Sequence, residues 1–353
     1  MSDHSQDIAA AIAGAAAQQE ALDISAGGSK RDLLGRECNA RVLDVSGHRG
    51  ITDYQPSELV LTARAGTALG DIQAALAKEG QTLPFEPPMF GGRATLGGTI
   101  ACNLSGPARP WAGSARDLVL GVQLIDGLGQ ILNFGGRVMK NVAGYDVARL
   151  QAGALGTLGV LSEISLKVLP LPEQSTTLVY DMDASAAIDT MNRRAGQSGP
   201  LSGACWFDGR LYLRLSGAAA AVEDTARSWG GDSVVDSETF WADLREMNLP
   251  FFHSPEPLWR LSVKSSAAVM DDPRPTLIDW GGAQRWLRGD FELAQLQRVA
   301  VAAGGNASLF RGGDRNLEVR PQPDPVSLRL QQRLKNAFDP QGILNPGRLY
   351  GQF

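Results

Sequence analysis

The sequence predicts an α+β protein of two domains. Three observations carry that reading. The 353 residues are long for one core and short for three. Short apolar runs alternate with helical patterns on both sides of a proline-bounded break, PLPE at Pro170–Glu173. The composition changes at that break: glycine-rich segments precede it, and six of the seven tryptophans follow it.

The elements follow in order. The alanine-rich run after Asp7 reads as a surface helix, since acidic residues flank it and no basic segment marks a signal peptide. ARVLDVSG (Ala40–Gly47) and LVLTARAG (Leu59–Gly66) read as strands. TALGDIQAALAKEG (Thr67–Gly80) reads as a helix. Thr67 caps its start, Leu69, Ile72, Ala75 and Leu76 share a face, and Gly80 ends it. LVLGVQLID (Leu118–Asp126) turns at GLG into the strand QILNF, and GVLSEISLKVL (Gly159–Leu169) alternates as another.

Beyond the break come the strand TTLVYDM, the helix ASAAIDTMNRRAG and a hairpin, ACWF-DG-RLYLRL, turning at Asp208–Gly209. The helix AAAAVEDTARSWGG and the short strand DSVVD complete a βαββαβ order, which is the ferredoxin-like arrangement. LWRLSVK, TLIDW-GG-AQRWLR, FELAQLQRVAVAAG and NASLF form a looser echo of it. SLRLQQRLKNAFDPQGILNPGRLY closes the chain as a helix with a proline-bounded tail. The tryptophans of this half read as core and interface packing, because aromatics bury the most area.

Composition excludes several classes. A net charge of −5 and the lack of a basic stripe with aromatics argue against a nucleic-acid partner. Cys38, Cys102 and Cys205 form no CxxC, so neither a zinc knuckle nor a disulfide framework is expected and a reducing compartment is the simplest reading. No apolar run approaches the roughly 20 residues of a membrane span. A cytoplasmic chain, touching the inner membrane only through partners, is the expectation.

Two glycine clusters stand out: SAGGSK (Ser25–Lys30) and ATLGGTIACNLSGP (Ala94–Pro107). Neither is a G-x-G-x-x-G dinucleotide fingerprint or a Walker loop. Glycine accepts φ > 0 and lets main-chain N–H groups approach a ligand with no Cβ between. A pyrophosphate is a natural target for such neutral donors in an acidic protein. On these residues alone, plain turns explain the clusters equally well.

The order of segments decides between them. After SAGGSK come LVLTARAGTALGDIQAALAKEG, LPFEPP, TLGGTIACNLSGP, GSARDLVLGVQLIDGLGQIL, KNVAGYDVARL, GTLGVLSEISLKVLP and finally FDPQGILNPGRLY. This order resembles the PCMH-type flavin-binding family that includes vanillyl-alcohol oxidase, D-lactate dehydrogenase and the glycolate oxidase subunits. The likeness covers about the first half and the tail. LSGPARPWAGSARDLVLG, GGRVMKNVAGYDVARL and LKNAFDPQGILNPGRLY are most similar to FAD-binding subunits of bacterial glycolate oxidases.

The resemblance implies a two-part FAD-binding domain, residues 1–170 completed by 330–353, with residues 171–329 as a ferredoxin-like cap or partner-binding domain. It implies that Ala26, Gly27, Gly28, Ser29 and Lys30 form the first pyrophosphate loop, and Thr95, Leu96, Gly97 and Gly98 the second. Ala101, Asn103, Ser105 and Gly106 would line the flavin side. Gly113, Ser114, Arg116 and Asp117 match the loop before the next strand, Gly159 and Val160 the pair near the adenine, and Asn345 a return of the tail to the cofactor.

Two departures shape the expected activity. The AGGSK loop lacks the His or Cys that links flavin covalently in some relatives, so the FAD is expected to be non-covalent, and His48 in SGHRG reads as a surface-turn histidine. Hydroxy-acid dehydrogenases of the family carry a run like HxGDGNxH. Here FRGGDRNLEVRP (Phe310–Pro321) has Gly312, Gly313 and Asp314 but no histidine, and the chain holds only His4, His48 and His253. Leu155 stands where relatives commonly have Glu. No catalytic residue is assigned, no metal is expected, and only Arg311 or Arg315 remains for an acid's carboxylate. The resemblance then implies an FAD-carrying subunit of a complex oxidising glycolate to glyoxylate, with a catalytic FAD subunit and an iron–sulfur subunit as partners. A stand-alone FAD-dependent oxidase of a small hydroxy acid such as D-lactate, and a scaffold without redox chemistry, stay as alternatives.

Overall fold

The computed structural model describes residues 2–136, 146–233, 237–270 and 274–353. Residues 137–145 of the GGRVMKNVAGYDVARL segment and the last three of DSVVD lie outside the described residues.

In the first half, strands β1 (Leu22–Ser25) and β2 (Arg41–Asp44) pair in parallel. Strands β3 (Ile51–Gln55) and β4 (Val60–Arg64) precede a short β5 (Gln81–Thr82). Then follow β6 (Val119–Ile125), β7 (Ile131–Gly135), β8 (Val160–Lys167) and a short β9 (Leu169–Pro170) that pairs with β5. An antiparallel sheet runs β3-β4-β8-β6-β7. The helices Leu69–Lys78 and Leu96–Cys102 cover it through Leu69, Ile72, Leu76, Leu96 and Ile100.

Two expectations shift here, and two strands were not foreseen. The alanine-rich helix, Ser5–Gln18, is one-sided: Ile8, Ala9, Ile12 and Ala15 are buried against Leu22, Leu43, Ile125 and Val160. Thr67 does not cap the next helix, whose N-cap is Ala68. Its hydroxyl instead accepts from Gly50 N–H at 2.9 Å and donates to Arg64 O at 2.6 Å, closing the preceding turn. Strands β1 and β3 were not legible, because four or five residues give too short a period to read.

The C-terminal tail completes this half. Leu22 N–H donates to Ile343 O at 2.7 Å, and Asn345 N–H to Leu22 O at 2.8 Å. The buried Lys335 ammonium donates to Asp339 Oδ2, Thr157 O and Leu344 O at 2.7–2.9 Å, fixing the last helix (Pro325–Phe338) to the domain.

The second half forms one sheet of eight strands: β10 (Gln174–Asp181), β11 (Leu201–Phe207), β12 (Arg210–Gly217), β13 (Asp232–Ser233), β14 (Leu258–Ser262), β15 (Thr276–Asp279), β16 (Gln284–Arg288) and β17 (Asn306–Arg311). Its order, β13-β10-β12-β11-β15-β16-β14-β17, contains the 4-1-3-2 order of a ferredoxin-like unit twice, mirrored about the single bridge Trp206–Ile278. The echo read from sequence is therefore a second unit, with no helix among the described residues between its first two strands.

Helices cover one face of this sheet. Ala187, Ile188, Met191 and Val222 pack on the first unit, and Leu296 and Ala300 on the second. The other face carries Cys205, Trp241, Leu258, Leu277, Trp286 and Phe310, packed on Leu33, Leu34, Leu104 and Leu155 of the first half. Trp206, Trp229, Trp241, Trp259 and Trp286 pack in these clusters, as expected of core tryptophans, while the half-buried Trp280 donates its indole N–H to Gly106 O.

Candidate functional site

The two glycine clusters meet. Loop Ser25–Lys30 follows β1, and Thr95–Gly98 starts the helix Leu96–Cys102 with Thr95 Oγ1 accepting from Gly98 N–H at 3.3 Å. Between them opens a cavity of about 300 Å³, within the size range of small-molecule and cofactor sites. Of the expected residues, Ala26, Gly27, Gly28, Ser29, Lys30, Thr95, Gly97, Gly98, Ala101, Gly159, Val160 and Asn345 line it.

The glycines divide into two kinds. A Cβ on Gly27 would lie 1.8 Å from Arg93 O, and one on Gly97 2.6 Å from the Ala65 Cβ, so the chain's own packing requires both. Gly28 has φ +66° and nothing within 4 Å of its Cβ position, and Gly98 would meet only Thr95 Oγ1, at 3.2 Å. Those two leave open space for a ligand along exposed main chain.

Cations supplement the backbone. Lys30 is buried, its Nζ 3.3 Å from Ser29 Oγ and 5.5 Å from the Phe90 ring centre, and no carboxylate pairs with it among the described residues. Burial pulls its pKa down to about 8, with Cys102 and Glu246 opposing. Arg315 reaches the cavity from the FRGGDR turn; it donates to Gly35 O and Phe310 O while its buried Nε has no partner. Burial and Arg348 lower its pKa to about 10. Arg348 spans the main-chain oxygens of Arg31 and Arg36. Arg31, Cys38, Cys102 and Arg348 were missed as lining residues; for Arg348 a signal existed, since it follows Asn345 by three residues in the same tail.

Asn345 is both wall and fastener. Its Oδ1 accepts from Ile24 N–H at 2.7 Å and its Nδ2 donates to Leu155 O at 2.6 Å, which ties β1, the tail and the glycine loop before β8 together. Leu155 contributes that carbonyl from a left-handed conformation, φ 52°.

The remaining expected residues stand apart from this cavity. Leu96 is buried in the core. Asn103 Oδ1 accepts from Arg116 N–H at 3.1 Å, and Ser105 Oγ from Ala115 N–H at 2.9 Å. Ser114 and Asp117 form a capping box, which holds the Asp117 carboxyl below its ordinary pKa, and Gly113 precedes it with φ 89°. Gly106 donates to Phe85 O and accepts from the Trp280 indole at 3.0 Å. Ser105 and Gly106 line a second, smaller cavity under the eight-stranded sheet.

His48 is not at the surface. It is buried, its Nδ1 accepts from His4 N–H at 3.0 Å, and its Nε2 therefore donates to Ser162 Oγ at 2.9 Å. Burial lowers its pKa, opposed by Asp3. In place of the histidine-rich run, Gly312 and Gly313 turn with φ near +70° and Arg311 donates to Phe252 O.

The comparisons agree with this architecture. Residues 2–135 match the family described as FAD binding domain, and residues 311–349 the C-terminal domain of FAD linked oxidases. Glycolate oxidase subunit GlcE of Escherichia coli K12 is 47% identical over 99% of this chain and 98% of its own length. The chain belongs to the GlcE family. A D-lactate dehydrogenase of Archaeoglobus fulgidus is 25% identical, covering 81% of this chain and 76% of its own length. GlcD of Bacillus subtilis is 33% identical over 45% of this chain and 35% of its own. An alkyldihydroxyacetonephosphate synthase structure shares the fold, with TM-score 0.65 over 98% of this chain and 76% of that one at 14% identity. This GlcE-family chain thus carries an FAD-binding domain of PCMH type. Among the described residues no helix is long and apolar enough to cross a membrane.

Proposed function

We propose that this chain is the FAD-binding subunit of a glycolate oxidase, holding a non-covalent FAD within a complex that oxidises glycolate to glyoxylate. The cavity between the two glycine loops, with Gly28 and Gly98 open toward it, is the observation that carries the reading. Bound FAD supplies a hydride acceptor that passes electrons on singly. The residues supply the holding: main-chain N–H groups along both loops, Lys30 and Arg315 as cations, and the Asn345 clasp as a rigid wall. No His or Cys stands in the AGGSK loop for a covalent link.

Residues 1–170 with the tail from 330 form the FAD domain in this reading, and residues 171–329 the cap that faces partners. Those partners are a catalytic FAD subunit and an iron–sulfur subunit in the cytoplasm. The absence of a histidine run near Gly312–Asp314 supports a subunit that does not turn over glycolate alone, since general acid–base help is worth about 10² to 10⁴ in rate. Anaerobic mixing of the FAD-loaded chain with glycolate and with D-lactate tests this. Slow or no bleaching alone, with activity after adding the partner subunits, is expected. Rapid, complete bleaching by either acid alone would establish a stand-alone enzyme instead.

A further inference from the structure

The segment LPFEPPMFGG, Leu83–Gly92, leads into the second glycine loop. It is sharply bent: Glu86 and Phe90 both have φ +47°, and Gly91 and Gly92 have +66° and +78°. A side chain in the left-handed region persists only where its surroundings hold it. Two grips from the second half of the chain do so. Arg214 of β12 pairs with Glu86 at 2.8 Å. Glu246, the last residue of the helix Ser237–Glu246, reaches the Phe90 turn.

Successive N–H groups in a turn make a concavity for an anion, and here the anion is a side chain. Met89 N–H donates to both Glu246 carboxylate oxygens at 3.0 Å, and Phe90 N–H donates to Oε2 at 2.7 Å. Arg245 Nε donates to Oε1 at 2.9 Å, and the Glu246 side chain is only 16% exposed. Charge-assisted bonds of this kind are roughly twice as strong as neutral ones.

The turn so held backs the loops of the larger cavity. The Phe90 ring centre lies 5.5 Å from Lys30 Nζ. Arg93 N–H closes on Phe90 O and Ala94 N–H on Met89 O, and Arg93 O packs so tightly on Gly27 that no Cβ fits there. Thr95 follows at once in the chain. We propose that Glu246 is a positioning residue for the cofactor: it fixes the Met89–Phe90 turn, whose aromatic ring holds the Lys30 ammonium at the cavity between the two glycine loops. The inference rests on the reading that this cavity holds FAD.

Charge acts in the same direction as shape. Burial pulls the Lys30 pKa down to about 8, and Cys102 and Glu246 oppose that fall. The Glu246 carboxylate thus favours the charged ammonium without pairing with it among the described residues. A direct ion pair would occupy the donors that a phosphate needs; a carboxylate retained by the turn leaves them free. Glu246→Gln removes the charge and one acceptor oxygen and turns an amide donor toward the N–H groups. Glu246→Asp keeps the charge and shortens the reach.

A double-mutant cycle on the full chain tests this. FAD is titrated into the parent, Lys30→Met, Glu246→Gln and the double variant, with flavin fluorescence as readout and circular dichroism to establish folding. Residues in one network are non-additive, so Glu246→Gln should weaken FAD about tenfold in the parent but at most about twofold in the Lys30→Met background. Glu246→Asp should fall between parent and Glu246→Gln, and it takes the place of the latter in the cycle if that variant does not fold. Hydrogen exchange of the FAD-free chains, followed by mass spectrometry, should quicken in Glu246→Gln at Met89 and Phe90 and also across Ser25–Lys30. Unchanged FAD affinity, equal weakening in both backgrounds, or quickened exchange confined to Met89 and Phe90 overturns the inference and leaves Glu246 as a tie between the halves. A parent chain that takes up no FAD would instead contradict the functional reading, and exchange across Ser25–Lys30 still decides whether Glu246 positions that loop.

Discussion

The two cavities are built by opposite means. The larger is made mostly of main chain, from loops within Ser25–Lys30 and Thr95–Gly98, where glycines at special positions expose the backbone. The smaller is walled on one side by side chains of strands β14 to β17 brought together by sheet register, and on the other by Pro88, Phe90 and Leu104–Pro107 and by residues 244–252. A backbone site leaves its mark as local sequence, since a glycine declares itself where it stands. A register site leaves none until the strands are paired.

Substitutions sharpen that contrast, most strongly at the packing glycines. Gly27→Val or Gly97→Val forces a side chain into Arg93 O or Ala65. Overpacking of this kind costs about 3 kcal/mol or more, and we expect little folded protein by circular dichroism. Gly98→Val and Gly28→Ala should act differently. The fold should lose only about 1–2 kcal/mol, the cost of a Cβ in a left-handed conformation at Gly28, while flavin content falls sharply. Full flavin occupancy in both variants would mean that these loops are connectors.

Asn345→Ala comes next. It strands the Ile24 N–H and Leu155 O, which the side chain now satisfies at 2.7 and 2.6 Å. Two buried polar groups without partners cost about 2–4 kcal/mol together, measurable by denaturant titration without FAD. An unchanged midpoint would show that water replaces the clasp.

Lys30→Met separates stability from binding. The folded Lys30 pKa, about 8, lies below the ordinary 10.5, so the unfolded chain binds the extra proton between these values and stability rises with pH from about 8 to 10.5. Methionine removes that liability, so the FAD-free variant should be more stable at pH 7 than the parent. Its FAD affinity should fall about tenfold, the worth of one charge-assisted hydrogen bond. Lower stability together with unchanged affinity would show that Lys30 serves the fold.

The smallest effect concerns His48. Its folded pKa is lowered, so stability is full above about 6.5 and is lost as pH falls toward the folded value. His48→Gln should flatten the acid limb of a melting-temperature profile by less than about 1.4 kcal/mol per pH unit. An acid limb unchanged in that variant would place the sensitivity elsewhere.

Legibility followed the same division. The strands β4, β6 and β8, the helix Leu69–Lys78 and the first ferredoxin-like unit carry periods long enough to read. Short β1 and β3 do not, nor does the helix Leu96–Cys102, whose two glycines are poor helix formers; Gly97 packs closely on Ala65, while Gly98 meets only Thr95 Oγ1 and faces the cavity. His48 was misread because its burial depends on Ser162 and the N-terminal segment, both distant in sequence. Arg260 and Asp279, which line the smaller cavity, carried no signal at all; each is an ordinary charged residue in a strand pattern until Trp286 and Gln284 are placed beside them.

The account rests on a non-covalent FAD held by the glycine-edged cavity, and one measurement tests it most directly. The purified chain is titrated with FAD while its thermal unfolding is followed, and the saturated complex is then precipitated with acid. One FAD should bind per chain, stabilise the fold by about 2.7 kcal/mol at one hundred times the dissociation constant, and appear wholly in the supernatant. Flavin left on the pellet would contradict the non-covalent reading, and a melting curve indifferent to FAD would contradict the cavity's assignment altogether.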